Sequence, residues 1–397
     1  MNGPAPTTVR VALGAGYDVV IGPGVLGRLA QRTDRGLPTK AAILVDQRLE
    51  ARYAPGVSRS LRDAGVESFV VPLLAAESAK TLDAAREALI AVARHKMDRN
   101  GIIIALGGGL VGDLAGFCAA TYRRGVAFVQ CPTTLLAMVD ASVGGKTGVN
   151  LDIGDDESPE VQKNFVGAFH QPKLVLADTD TLASLPDRDL RAGLAECIKH
   201  AMIAGSISGL AWPDALAWTH ALLPRVLARE SAATVELIAR NVELKARVVE
   251  GDEREERADG GRALLNLGHT FAHAIEPLSY LRPDNAPGPL MHGEAVALGL
   301  VAAAHTSATL GLCSTEYAAR VREVVKAAGL PDAIRNLPDG ASLIERMGHD
   351  KKVIAQRLRI IVPRQNSHGQ GIGEVRTTPD QAALEAGWNA IRIEPVR

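Results

Sequence analysis

The run Gly101-Ile-Ile-Ile-Ala-Leu106 constrains this chain more than any other stretch. A strand read continuously as apolar must be covered on both faces, which in a parallel sheet calls for helices above and below it. The run stops at Gly107-Gly108-Gly109, so the strand ends in a turn with almost no side-chain bulk. Upstream, Ala41-Ala-Ile-Leu-Val45 and Ser68-Phe-Val-Val-Pro72 alternate with helix-like stretches, and Leu174-Val-Leu-Ala177 is a further apolar run. From about Asp187 to Ala328 the texture changes to Ala-, Leu-, Glu- and Arg-rich segments at helical spacing. The pattern predicts an α/β domain over 1–183 and a mainly α-helical domain over 184–397, with a small hairpin beginning at Leu358-Arg-Ile-Ile-Val-Pro363. A length of 397 residues suits two domains at roughly 150 residues each.

Composition narrows the partners. Lys and Arg total 44 against 45 Asp and Glu, so no global field draws the chain to nucleic acid or to an anionic membrane. Any anion site has to be built locally. Cys118, Cys131, Cys197 and Cys313 lie far apart and form no CxxC pair, which fits a reducing compartment. With no basic region leading into an apolar stretch at the start, the expected location is the cytoplasm. The uncharged stretch between Glu294 and Glu316 carries His305, Thr306, Ser307 and Thr309 and reads as a buried helix of a soluble protein.

Three constellations carry chemistry. Gly107-Gly-Gly-Leu-Val-Gly112 matches GxGxxG between a strand and a helical segment, where backbone N–H groups can approach a pyrophosphate. It departs from an ordinary dinucleotide fingerprint in lying a hundred residues into the chain and in lacking an acidic residue about twenty positions later. Asp46, at the end of the Ile43–Val45 run, is the better carboxylate for a ribose. The second constellation is His269-Thr-Phe-Ala-His273, two imidazoles four apart on one helical face, with Glu276 a turn further on. Spacing alone lets those three meet at a metal, and His292-Gly-Glu294 and Glu196-Cys-Ile-Lys-His200 add further donors on apolar helices. The third is cationic: Arg124, Lys146, Lys199, Lys245, Arg262 and the pair Lys351-Lys352 stand apart from charge runs. Gly144-Gly-Lys146-Thr superficially matches the end of a phosphate-binding P-loop, but position 140 is Asp where that motif needs Gly, which excludes a nucleotide triphosphatase.

Taken together, these stretches resemble the 3-dehydroquinate synthase family of the sugar phosphate cyclase superfamily, from about Asp46 to Lys352. The motifs are GGGLVGDLAGF at 107–117, TYRRGVAFVQCPTTLLAMVDASVGGKTGVN at 121–150, KNFVGAFHQP at 163–172, LAECIKH at 194–200, LLNLGHTFAHAIE at 264–276, MHGEAVALGL at 291–300 and HDKK at 349–352. The resemblance implies a Rossmann-like NAD-binding α/β domain followed by a mostly helical metal- and substrate-binding domain, working as a homodimer. It implies Glu196, His269 and His292 as zinc ligands, with cobalt as a candidate substitute, and turns His273 toward the substrate instead of the metal. It places NAD against Gly107, Gly108, Gly109 and Asp113, helped by Asp46, Glu77, Lys80, Thr133, Thr134, Lys163 and Ser184. It assigns Lys146, Asn266, His273, Lys199 and Arg262 to catalysis, and Arg124, Asp140, Asn164, Lys245 and Lys351 to substrate binding.

The implied reaction converts 3-deoxy-arabino-heptulosonate 7-phosphate into 3-dehydroquinate and phosphate, the second step of the shikimate pathway, with NAD reduced and reoxidised in one turnover. The alternatives are another sugar phosphate cyclase, acting on sedoheptulose 7-phosphate or forming 2-deoxy-scyllo-inosose, and a metal-dependent polyol dehydrogenase, against which the density of cations argues. Two segments, 151–160 and 281–290, are longer than the connections usual in the family and read as polar or Pro/Gly-rich surface loops that leave the ligands intact.

Overall fold

The structure, a computed structural model, describes residues 5–32, 38–154, 160–210, 212–257, 260–284, 286–348, 358–377 and 379–394. The motif at 349–352, and with it Lys351, lies outside the described residues. The chain divides into two compact units, Met1–Pro186 with Arg229–Ala246, and Asp187–Ala228 with Arg247–Arg397. The stretch 229–246, which sequence texture groups with the helical half, therefore packs with the first unit.

The first unit holds β1 (Thr7–Val11), β2 (Tyr17–Gly22), β3 (Lys40–Asp46), α1 (Glu50–Asp63), β4 (Glu67–Leu73), α2 (Leu82–Arg94), β5 (Ile102–Gly107), α3 (Gly109–Thr121), β6 (Ala127–Pro132), β7 (Lys146–Asp152), β8 (Val161–Phe169) and β9 (Leu174–Asp178). Seven strands form one sheet in the order β1-β2-β9-β6-β5-β3-β4, parallel except for the β1–β2 pair. The physical reason for the unbroken apolar runs is visible in the two cores. Ala42, Leu44, Ile103 and Ala105 face one side with α2 and α3, while Ala41, Ile43, Val45, Ile102, Ile104 and Leu106 face the other with α1. Alternate residues of each central strand thus enter opposite cores, and both faces are filled mainly by apolar side chains.

β7 and β8 form a separate antiparallel ribbon with an irregular register between Val149 and Leu151. A Cβ at Gly116 would lie 2.4 Å from Thr147 Cγ2, so this glycine lets α3 approach the ribbon. Of the expected loop 151–160, Leu151 and Asp152 are already strand, and Asp152 Oδ1 accepts the N–H groups of Gly154 (3.1 Å) and Glu160 (2.8 Å).

The second unit contains α4 (Asp187–Ile203) and α5 (Ala215–Leu227), followed by α6 (Ser231–Gly251), whose residues up to Ala246 belong to the first unit. Beyond it come α7 (His269–Ile275), α8 (His292–Thr309), α9 (Thr315–Ala327), α10 (Gly340–Gly348), the hairpin β10 (Arg359–Gln365) with β11 (Gly371–Thr377), and α11 (Gln381–Ala390). α8 is the axis, packed by α4, α7, α9, α11 and β10. It is buried nearly all round, which is why its sequence carries no amphipathic stripe. Two glycines set its closest approaches. A Cβ at Gly293 would lie 2.1 Å from the Ala192 carbonyl oxygen of α4, and one at Gly299 would lie 2.2 Å from the Gly268 carbonyl oxygen ahead of α7.

Candidate functional site

Those close approaches bring three side chains together in the second unit. Glu196 projects from the middle of α4, His269 opens α7 and His292 opens α8. One donor atom from each lies within 4.8 Å of the others. His269 Nε2 is 3.6 Å and His292 Nε2 4.0 Å from Glu196 Oε1. The other ring nitrogens fix the tautomers: His269 Nδ1 donates to the Leu267 carbonyl at 3.2 Å, and His292 Nδ1 to the Glu276 carboxylate at 3.0 Å. Both Nε2 lone pairs therefore face Oε1 of a carboxylate that is 1% exposed and whose Oε2 is ion-paired with Lys199. Lone pairs converging on Oε1 repel unless a cation stands among them, and one carboxylate with two imidazoles is a zinc donor set that leaves a fourth position open. The residues present fit such an ion.

The surrounding charges agree with that reading. Burial works against a positive charge on His292, but the Glu276 carboxylate, with Glu196 beyond it, outweighs burial and raises the ring above the usual histidine value. The site therefore attracts positive charge, whether proton or metal. Glu276, which spacing allowed as a ligand alongside His269 and His273, instead orients His292 from behind. His273 is exposed and lies edge-on to His269 with ring centroids 5.7 Å apart, outside the converging donors.

Lys199, one turn along α4, is buried and ion-paired with Glu196. Ahead of α7, Arg262 is buried with Nη1 donating to the Glu253 carbonyl at 2.6 Å, and Asn266 donates to Glu255 Oε1 at 2.9 Å.

In the first unit the glycine turn joins β5 to α3, with Gly108 at the N-cap of that helix, so the free N–H groups of its first turn open at a strand's carboxyl end. Thr133 follows the neighbouring strand β6 and donates its backbone N–H to the Gly107 carbonyl at 2.9 Å. Its hydroxyl is buried and without a hydrogen-bond partner among the described residues, an orphan that a bound nucleotide could satisfy. Thr134 accepts the Ala137 N–H at 3.2 Å. Lys80 is buried and donates to both Asp113 and Asn164. Burial raises the Asp113 carboxyl above its ordinary value, against the pull of Lys80.

Glu77 Oε1 accepts Asn150 Nδ2 at 2.8 Å, and Asn150 Oδ1 in turn accepts the Asn164 N–H at 2.9 Å, so these residues form one network. Asn150 sits in a motif noted above without being singled out, because an amide reveals its role only through partners. Asp46 is buried at the end of β3 and held by Arg48 Nη2 at 2.7 Å, a partner that spacing did not suggest. Ser184 shares a 2.8 Å hydrogen bond with Tyr53.

Asp140 and Lys245 are ion-paired at 2.7 Å, Lys245 arriving from the part of α6 that packs in this unit. Lys146 and Lys163 are exposed on the β7–β8 ribbon, and Arg124 is exposed in a turn with φ of 67°.

Comparison with known proteins gives concordant matches. The family model described as 3-dehydroquinate synthase N-terminal matches residues 70–192, and the one described as 3-dehydroquinate synthase C-terminal matches 193–353. The 3-dehydroquinate synthase of Rhizobium etli is 42% identical over 97% of this chain and 96% of its own length. Among solved structures, 2-epi-5-epi-valiolone synthase from Streptomyces hygroscopicus, with NAD+ and Zn2+ bound, superposes with a TM-score of 0.76 at 27% identity, covering 94% of this chain and 96% of that one. A 2-deoxy-scyllo-inosose synthase complexed with carbaglucose-6-phosphate, NAD+ and Co2+ gives a TM-score of 0.80 at 22% identity over 97% of this chain and all of that one, a likeness of fold.

Proposed function

The chain belongs to the 3-dehydroquinate synthase family, and on that premise we propose how its residues divide the conversion of 3-deoxy-arabino-heptulosonate 7-phosphate into 3-dehydroquinate and phosphate. Glu196, His269 and His292 hold a zinc ion. The observation that carries this is the pair of Nε2 atoms aimed at one buried carboxylate while both Nδ1 atoms donate elsewhere. NAD lies along the Gly107–Gly109 turn, with Asp113, Thr133 and Thr134 beside it and Asp46, Glu77, Lys80, Lys163 and Ser184 lining the same carboxyl edge of the sheet. When bound, zinc supplies Lewis-acid polarisation of a substrate oxygen and NAD supplies reversible hydride acceptance.

The chain's own side chains supply the rest. Lys199 balances the Glu196 charge and offers N–H donors to a substrate oxygen, which in a buried setting orients without competition from water. His273 presents an exposed ring beside His269 and handles a proton on the substrate. Arg262 and Asn266, each anchored by an acceptor of its own segment, fix the substrate's hydroxyl groups. Arg124, Lys146, Lys245 and Lys351 match the carboxylate and phosphate of a doubly charged sugar acid, with Asp140 steering Lys245 and Asn164 held by Lys80. No helix among the described residues is long and apolar enough to cross a membrane. The working form we infer is a cytoplasmic homodimer, in keeping with four buried free cysteines.

The test is one assay. The protein is incubated with the heptulosonate phosphate, catalytic NAD and zinc, and phosphate is measured together with the carbocycle, with sedoheptulose 7-phosphate in parallel. Equal release of both products from the heptulosonate phosphate is expected. Turnover of the sedoheptulose ester alone, or stoichiometric accumulation of NADH, would refute the assignment.

A further inference from the structure

A guanidinium that nothing above uses holds together the elements bearing two of the three donors. Arg188 lies in the first turn of α4, two turns ahead of Glu196. Its Nε and Nη2 donate to Glu294 Oε1 and Oε2, both at 2.7 Å. Nη1 also donates to the Pro287 carbonyl at 2.7 Å, and Nη2 to the Pro289 carbonyl at 2.6 Å. Glu294 stands two residues after His292 in the first turn of α8, is buried, and accepts the Met291 N–H at 2.8 Å.

We propose that Arg188 is a positioning residue for the metal centre, clamping the start of α8, and with it His292, to the helix that carries Glu196. The inference rests on the reading that Glu196, His269 and His292 hold the ion. The first turn of a helix lacks intrahelical partners for its N–H groups and frays first, so a ligand placed there needs external support. A bidentate guanidinium–carboxylate pair fixes distance and plane together, which a single-point contact cannot do.

The same guanidinium ties down residues 286–290, the end of the connection into α8 from the element bearing His269. The Pro287 and Pro289 carbonyls both accept from Arg188, and the rings' fixed φ limits the backbone freedom of the segment that presents them. The long loop is thereby a strap whose near end is the ligand-bearing turn. The Ala192 contact at Gly293 leaves α8 no room to move toward α4, and Arg188 keeps it from moving away.

The experiment measures zinc affinity of the full-length protein by competition with a chromophoric chelator, in the parent, Arg188→Lys, Arg188→Ala, Glu294→Gln and His269→Ala. Arg188→Lys and Glu294→Gln should each weaken zinc binding by about tenfold to a hundredfold. NAD affinity should stay unchanged, and saturating zinc should restore most of kcat, because Arg188 does not touch the reacting atoms. Backbone N–H groups at 291–295 should exchange faster with solvent. A folded Arg188→Lys protein that binds zinc within twofold of the parent overturns the proposal. Should the Arg188 variants not fold, the near-isosteric Glu294→Gln decides in the same terms, and failure of all three to fold assigns the clamp to stability alone and overturns it too. His269→Ala separates the two levels. If it retains zinc, the donor assignment fails. If it loses zinc while Arg188→Lys keeps it, only the clamp fails.

Discussion

Glu276 shows how one carboxylate changes meaning with its partner. Three residues beyond His273, it lies on a helical neighbour position and reads as a metal ligand, yet its oxygen sits 3.0 Å from His292 Nδ1, sixteen residues away in the chain. A carboxylate behind an imidazole fixes the ring plane and makes the far nitrogen a better donor. Glu276→Ala should weaken zinc binding about tenfold to a hundredfold, and Glu276→Gln, which keeps an acceptor, by less. Chelator competition at constant pH reads both, and unchanged affinity in the alanine variant would remove Glu276 from the support of the site. Spacing could not have revealed this. Helical periodicity says which residues share a face, and says nothing of what comes to meet that face from another helix. Arg188 was invisible for the same reason, its carboxylate partner lying 106 residues away.

At the level of elements, the apolar helix α8 acts as a template, and its glycines are the points where neighbours touch it. Gly299→Ala places a methyl group 2.2 Å from the Gly268 carbonyl, beside His269, and backbone cannot yield as a flexible side chain would. The expected cost is about 1–3 kcal/mol of stability with weakened metal binding. Gly56→Ala in α1, where a Cβ meets nothing within 4 Å, should instead be neutral or stabilise by about 0.5–1 kcal/mol. Urea unfolding of both variants checks the contrast, and equal effects would mean that α8 has slack.

Element legibility followed unbroken apolar runs and not burial alone: β2 and β6 are buried, but Asp18 and Gln130 interrupt their sequences. β3, β5 and β9 were readable because both faces are dry, and the terminal hairpin was readable from its apolar start and Gly-rich end. β1 is mostly exposed and β8 alternates exposed and half-buried residues, so neither carries a strong apolar pattern. Neither they nor the ribbon that carries Lys146 and Lys163 is legible in the sequence pattern.

For the whole molecule, thiol chemistry reports on integrity. All four cysteines are buried, and burial pushes the Cys118 thiol up to about 12. The folded state therefore favours the protonated thiol at pH 8. An aromatic disulfide reagent at pH 8 should label none of the four in the native protein within minutes and all four in guanidinium chloride. Rapid labelling of Cys118 in the native state would show that the core beneath α3 opens.

The return of residues 229–246 to the first unit has a consequence for how such a chain can be inherited. The polypeptide passes from one unit to the other three times, at 186, 228 and 246. Lys245 reaches Asp140 only through the second of these passages. A single recombination event at the change of texture would graft a nucleotide-binding half onto a foreign partner and strand part of its own packing on the wrong side of the junction. A chimera joined there would lose the Asp140–Lys245 pair unless residues 229–246 travelled with the first unit.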